Sequence, residues 1–416
     1  MSDRADLAIV GAGAAGLMAA IQARRGAPGR TVTLLESARA PGAKILVSGG
    51  GRCNVTHDEV DELSFAGASP RAVRNVLRRF GVAETVAFFA GLGVALKREE
   101  TGKLFPVTDR ARTVLDALVG EARRLGAAPR HPCRVERIER RQQEGGFVLS
   151  GAWGEMRAEQ VILATGGRSL PKSGSDGHGY ELARALGHSI TPRVFPALVP
   201  LLLPEGHRLR ALTGVSADVA LRVVPSSGAR QASMEGSLLC THFGLSGPVV
   251  LDISRHLIEA RFDDPAARLI CCWWPGEPED AFAARLRSLG RRGCGALLRE
   301  RLAERLARGL CAAAGVDPAE PAARLPAAAL DRLAAEVSRM ELPVAGDRGF
   351  THAEVTAGGV PLDEVDPGTM RSRRCPGLLL CGEILSVDGR VGGYNFQWAW
   401  TTGWLAGRAA FARDLA

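Results

Sequence analysis

The feature that most constrains this chain is the hexapeptide Gly11-Ala12-Gly13-Ala14-Ala15-Gly16, set between an apolar run and a stretch of small residues. Residues 6–11 (DLAIVG) read as a short buried strand, 14–25 as a helix and 31–36 (TVTLLE) as a second strand. Together they make a βαβ unit of the usual length, about 30 residues. In such a unit the first glycine allows a tight turn, the second lets a pyrophosphate approach the backbone, and the third lets the helix pack closely on the sheet. The helix N-terminus then faces the phosphates. Glu36 ends the second strand, 20 residues after Gly16, at the position where an acid binds a ribose diol. A GxGxxG alone is weak evidence; the strand, the helix and the acid together point to a dinucleotide.

The C-terminal half decides which dinucleotide. Residues 377–397 read GLLLCGEILSVDGRVGGYNFQ: a buried strand ends in Gly382-Glu383, and Gly392-Gly393 opens a final helix at about 394–412. Two-segment FAD proteins place an acid near the ribityl and pyrophosphate in this way, with a helix N-terminus at the flavin ring. That end of the helix stabilises negative charge on the N1/O2 edge as the ring is reduced.

Between these segments the texture changes several times. Residues 37–57 read as a Gly-rich loop, 71–91 and 109–125 as helices, and 131–163 as a small β-meander that returns to the main sheet. Residues 177–188 read as a helix, 191–250 as proline-punctuated β structure, 280–340 as helical, and 349–360 as β again. The expected fold is α/β: a two-segment Rossmann-like FAD-binding domain (1–190 and 361–416). Its insert has a β-barrel-like part (191–276, returning at 342–360) and a nested helical domain (277–341).

Composition limits the alternatives. The net charge of +8 comes from 53 Lys+Arg against 45 Asp+Glu. Nearly all the cations are Arg, so the basicity says little about nucleic acid. Nine scattered cysteines, with no CxxC pair or Cys/His ligand spacing, read as reduced thiols of a cytoplasmic protein with no metal. Leu7–Ala20 is apolar, but Asp3 and Asp6 spoil a basic leader, and no membrane segment is expected. A second GxGxxG, a P-loop and a Ser/His/Asp arrangement are not evident. The electron donor would therefore bind transiently at the flavin, with NAD(P)H the candidate, or be another protein.

Several blocks resemble the HI0933-like (YhiN-like) flavoproteins over nearly the whole length. They are residues 44–54 (KILVSGGGRCN), 164–167 (ATGG), 174–177 (GSDG), 241–248 (THFGLSGP), 355–360 (VTAGGV) and 392–395 (GGYN). The resemblance implies bound FAD and a reductase or oxidase activity. It also implies a candidate acceptor, a uridine of large-subunit ribosomal RNA reduced to dihydrouridine. Hydride would go to C6 of the uracil and a proton to C5. The chain departs from the family pattern at Ala43, His57 and Ser386, which marks a divergent branch.

The candidate cofactor residues are Gly11, Gly13, Ala14, Ala15, Gly16 and Glu36 from the first segment. The second block supplies Lys44, Ser48, Gly50, Gly51, Arg52, Cys53 and Asn54, whose glycines allow backbone N–H groups to reach the flavin. Thr165, Gly166 and Gly167 would cover the adenosine side; Gly382, Glu383, Gly392, Gly393, Tyr394 and Asn395 complete the set. Cys53 is either a proton donor beside the flavin or a buried packing residue. His242 is either a general acid or a turn-fixing histidine. Trp398, Trp400 and Trp404 read as core before nucleobase stacking, and the Arg-rich stretch 280–340 as a solvated surface before an RNA-facing patch. An FAD oxidase of a small amine or ketone is the alternative activity, and a non-catalytic flavin-bearing protein a third.

Overall fold

The computed structural model describes residues 3–141, 143–226 and 232–412. The chain divides into two compact units, residues 1–196 with 354–416, and residues 197–353.

The first unit is built on a sheet whose strands meet from both ends of the chain. β1 (Asp3–Val10) lies parallel between β2 (Val32–Leu35) and the strand Gly154–Leu163. The first half of Gly154–Leu163 pairs antiparallel with Phe147–Gly151, which pairs in turn with Arg137–Arg140. Its last residues, Val161–Leu163, pair instead with Leu378–Leu380, parallel. One strand thus joins the meander to the C-terminal segment. Leu7, Ala8, Ile9, Leu34 and Val161–Leu163 are fully buried, as parallel strands covered on both faces must be. The Rossmann-like parallel sheet expected from the sequence is present.

Two helices cover one another above this sheet. α1 (Ala14–Gly26) follows β1, and the C-terminal helix Tyr394–Ala410 crosses it at two glycines. A Cβ on Gly403 would lie 2.4 Å from Ala15 O, and one on Gly407 2.3 Å from Ala19 O. The absence of those two side chains lets the backbones touch. Trp398 and Trp400 are buried, and Trp400 Nε1 donates to Val55 O at 2.8 Å; Trp404 stacks on Phe80. Trp398 and Trp400 are core, and Trp404 packs against it half-buried.

Two local expectations are corrected. Residues 37–57 are not all loop: α2 (Ala43–Gly51) starts after Gly42 in a left-handed conformation, pinned by buried Ile45. Ser48, Gly49 and Gly50 then leave helical geometry, because Ser48 turns extended (ψ 148°) and both glycines take positive φ. The stretch 71–91 is two helices, Pro70–Leu77 and Val82–Gly91. They part at Gly81, whose N–H donates to Glu84.

The second unit holds a seven-stranded antiparallel sheet with Ser216–Val224 and Ala232–Thr241 at its centre. Residues of Ser216–Val224 alternate exposed and buried, so one face is core. The helix Pro248–Asp263 packs on that sheet. Helices Glu279–Arg287, Cys294–Leu298, Glu304–Ala313 and Ala327–Ser338 share one apolar cluster with it, through Leu286, Leu298, Leu310 and Leu333.

Candidate functional site

A cavity of about 400 Å³ opens in the first unit, lined by residues from both its chain segments. Its floor is the turn after β1. Gly11 takes φ +105°, and a Cβ there would lie 2.4 Å from Ala164 O on the neighbouring strand. A Cβ on Gly16 would lie 1.8 Å from Gly11 O, so the helix can start only this close to the turn without one. Gly13 differs: a Cβ there would meet nothing within 4 Å, and the residue lines the cavity. Two of the glycines thus serve protein packing, and the third leaves free space for a ligand.

α1 begins at Gly13 and the C-terminal helix at Gly393. Neither has a side-chain cap or an acid in its first turn. Both helix starts line the cavity, through Gly13, Ala14 and Ala15 and through Gly392, Gly393, Asn395 and Phe396. The positive dipole end of a helix favours negative charge.

Glu36, almost fully buried, accepts from Ala12 N–H and Ala38 N–H, each at 2.8 Å. These bonds orient its carboxylate at one end of the cavity, beside Gly174, Ser175 and Arg134. Asp176 lies there too. Burial would raise its carboxyl, but Arg134 at 2.8 Å and the His178 N–H hold it below the usual range.

On another wall Lys44 pairs with Glu383. Ser169 Oγ joins them, at 2.5 Å from Lys44 Nζ and 2.8 Å from Glu383 Oε1; Thr356 N–H donates to the same carboxylate oxygen at 3.0 Å. This cluster ties α2 to the C-terminal segment. Arg52 is engaged by Glu99 at 2.6 Å and lies over the Phe105 ring.

Ser48, Gly50, Asn54, Thr165, Gly166 and Gly382 also line the cavity. Gly16, Gly51, Cys53, Gly167 and Tyr394 do not; Gly51 is exposed, and the other four are buried. Cys53 is fully buried in the apolar core, and burial pushes its thiol up to about 12, against a small opposing effect of Ser48. Tyr394 stacks on His57 with ring centroids 5.1 Å apart. Asn395 is occupied by the preceding turn, accepting from Gly389 N–H and donating to Gly389 O. His242 belongs to the second unit, is exposed, and its carbonyl accepts from Arg210 Nε at 2.7 Å.

Sequence reasoning did not single out Lys103, Phe105, Glu99, Arg134, Ser173 or Glu354, which also line the cavity. The signal for Ser175 and Asp176 was present in the block 174–177.

Four side-chain oxygens on the wall test what the cavity is built to hold. Asn54 Oδ1, Thr165 Oγ1, Ser173 Oγ and Ser175 Oγ are buried and meet no partner among the described residues. Buried polar atoms are normally paired, so this set calls for a polar ligand. The residues fit an extended dinucleotide: two uncapped helix starts for phosphate and ring oxygen, an oriented acid for ribose, and free hydroxyls between. No cluster of three or more potential metal ligands occurs among the described residues, and no described helix is long and apolar enough to cross a membrane.

The fold and the cavity define the class as a two-segment, FAD-dependent oxidoreductase. A sequence profile described as "HI0933-like protein Rossmann domain" matches residues 5–409, and the chain belongs to that family. It is 37% identical over 413 residues to the 3-dehydro-bile acid delta(4,6)-reductase of Clostridium scindens, covering 98% of this chain and 99% of that protein. It is 32% identical over 430 residues to the ribosomal RNA dihydrouridine synthase of Escherichia coli, covering 99% and 98%. Among solved structures, the 3-ketosteroid delta1-dehydrogenase from Sterolibacterium denitrificans has the same fold, with a TM-score of 0.52 at 13% identity over 98% of this chain and 99% of that one.

Proposed function

We propose that the protein is a cytoplasmic, NAD(P)H-driven reductase that saturates a carbon–carbon double bond conjugated to a carbonyl group. The observation that carries this reading is that the chain aligns end to end with two relatives whose named substrates look unrelated. A 3-dehydro bile acid unsaturated at positions 4 and 6, and the uracil of a uridine, have that one reactive unit in common.

Bound FAD supplies the hydride chemistry of such a reduction. The chain's own residues bind and orient. Gly11, Gly13, Ala14 and Ala15 would hold the pyrophosphate, Glu36 a ribose, and Thr165 and Gly166 the adenosine side. Lys44, Gly382 and Glu383 would position the middle of the cofactor. Ser48, Gly50, Arg52 and Asn54, with Gly392, Gly393 and Asn395, would enclose the ring end. Gly16, Gly167 and Tyr394 support these from behind, and Gly51 takes the positive φ that lets the loop after Ser48 turn. Cys53 is not carried forward as the acid, since its thiol is walled off from the cavity.

A dienone of bile-acid type is the first acceptor. The relative of higher identity bears that name, and Ile45, Phe105, Val391 and Phe396 supply apolar walls. The ribosomal uridine is the second reading, supported by the relatives at 32% and 31% identity. Against it, arginines of the helical stretch are engaged by carboxylates: Arg287 by Asp331, Arg299 by Glu304 and Arg339 by Glu279. Such pairing lowers the charge available to a phosphate backbone.

The test is spectroscopic. Anaerobic NADPH is expected to bleach the flavin bands of the FAD-loaded protein, and a 3-oxo-4,6-diene bile acid to restore them. Restoration by ribosomal RNA alone would move the acceptor to uridine. Bands untouched by NADPH, with peroxide released from a small amine or ketone, would replace the reductase with an oxidase.

A further inference from the structure

We infer that Lys103 is the residue that binds the carbonyl oxygen of the acceptor and stabilises the negative charge it gains during reduction. The inference rests on the reductase reading and adds the group that polarises the substrate.

The cavity wall carries several cations, and most are already engaged. Lys44 meets Glu383, Arg52 meets Glu99, and Arg134 meets Asp176. Arg390 is engaged as well. Lys103, also on the wall and half-buried, meets no carboxylate among the described residues. An ammonium left unpaired in a cavity is available for a ligand's oxygen.

The fold also determines where that ammonium sits. Lys103 opens the strand Lys103–Pro106 and pairs in register with His57 on the strand Thr56–His57. The start of the C-terminal helix is pressed onto the same strand: a Cβ on Gly393 would lie 2.6 Å from Thr56 C. A side chain on Gly392 would meet Lys103 Cε at 3.6 Å. The positive side chain and the positive end of the helix therefore converge. Asn54, next to the same strand, has a buried Oδ1 with no partner among the described residues, an acceptor that calls for an N–H or O–H of the ligand beside the charged atom. The ammonium and the helix end, which faces the ring end of the cofactor, together make a positive region where ring and acceptor meet.

The chemistry needs such a group. The reduction consumes one NAD(P)H and one proton. Two electrons and a hydrogen add at the β-carbon, the π pair of the double bond moves onto the α-carbon and carbonyl oxygen as an enolate, and a proton then adds at the α-carbon. A cation hydrogen-bonded to that oxygen stabilises the enolate more than the neutral ketone, which is the condition for accelerating the step.

The test compares K103M and K103R with the wild type, all loaded with FAD. K103M is expected to retain flavin and to be bleached by NADPH at the wild-type rate. Its reoxidation by a 3-oxo-4,6-diene bile acid is expected to slow by about 100- to 1,000-fold, the usual cost of one oxyanion donor, with partial recovery in K103R. A second readout needs no turnover. The wild type should bind 4-nitrophenolate in preference to 4-nitrophenol, and K103M should lose that preference. Unchanged reoxidation in K103M would overturn the inference. So would loss of flavin, which would make Lys103 a cofactor anchor, or slower bleaching alone, which would assign it to the donor. A wild type that binds the phenolate selectively but is reoxidised by neither acceptor would sink the reductase reading and leave the charge site standing. A wild type with no phenolate preference would sink the charge site.

Discussion

The cavity is approached by two helix starts that look alike and are held in different ways. At α1, the turn is closed by a neighbour in sequence, Gly16 on Gly11, and the closed turn is then seated on the adjacent strand at Ala164. At the C-terminal helix, Gly393 packs on Thr56, more than 300 residues away, and Gly403 on Ala15. The first start is a local motif and the second a product of tertiary packing. A local motif is defined by spacing and is therefore visible in one short stretch. A packing contact is visible only when both partners are placed.

That contrast can be broken at four points. Gly11→Ala is expected to do the most damage, because it adds strain at φ +105° to a clash with Ala164 O. Global stability should fall by about 3 kcal/mol in a denaturant titration, and purified protein should carry no flavin. Gly13→Ala, two residues on, should separate binding from stability. Its Cβ enters open cavity, so the flavin-free protein should melt as the wild type does while FAD affinity drops by about tenfold or more, some 1.4 kcal/mol. Equal loss of stability in both variants would show that the two glycines do the same work.

Gly403→Ala tests the distant half. It should force α1 and the C-terminal helix apart and cost about 1–3 kcal/mol, with weaker flavin binding as a secondary effect. A variant as stable as the wild type would mean the crossing has slack. Cys53→Ala should do least: turnover should hold, where removing a general acid costs about 100-fold or more. The same variant has a pH signature. The buried thiol stays protonated up to about 12, whereas its ordinary value is 9.0. An unfolded chain therefore releases that proton first, so the wild type loses stability as pH rises from about 9 to 12. Cys53→Ala should lessen that decline in a melting series, the remainder coming from other buried thiols such as Cys271, Cys311 and Cys381.

Much of the nucleotide end was legible because its requirements are steric and short-range. The glycine spacing, the strand before it and Glu36 each follow from how a backbone turns and where a strand ends. The Gly-rich block 44–54 was recognisable as a ligand-facing segment, but not as a broken helix; buried Ile45 decides that, and its burial depends on the packed core. For Cys53 the sequence left two readings open, and its full burial behind the cavity wall favours packing over chemistry.

Sequence by itself determined that two chain segments would build a dinucleotide fold, since β-strand burial and glycine-limited turns are written in local pattern. Only the tertiary structure decided which charged side chains on the cavity wall are engaged and which is free. Lys44, Arg52 and Arg134 each find a carboxylate 339, 47 and 42 residues away, while Lys103 finds none among the described residues. Ion pairing depends on distance in space, and no spacing in the sequence encodes it.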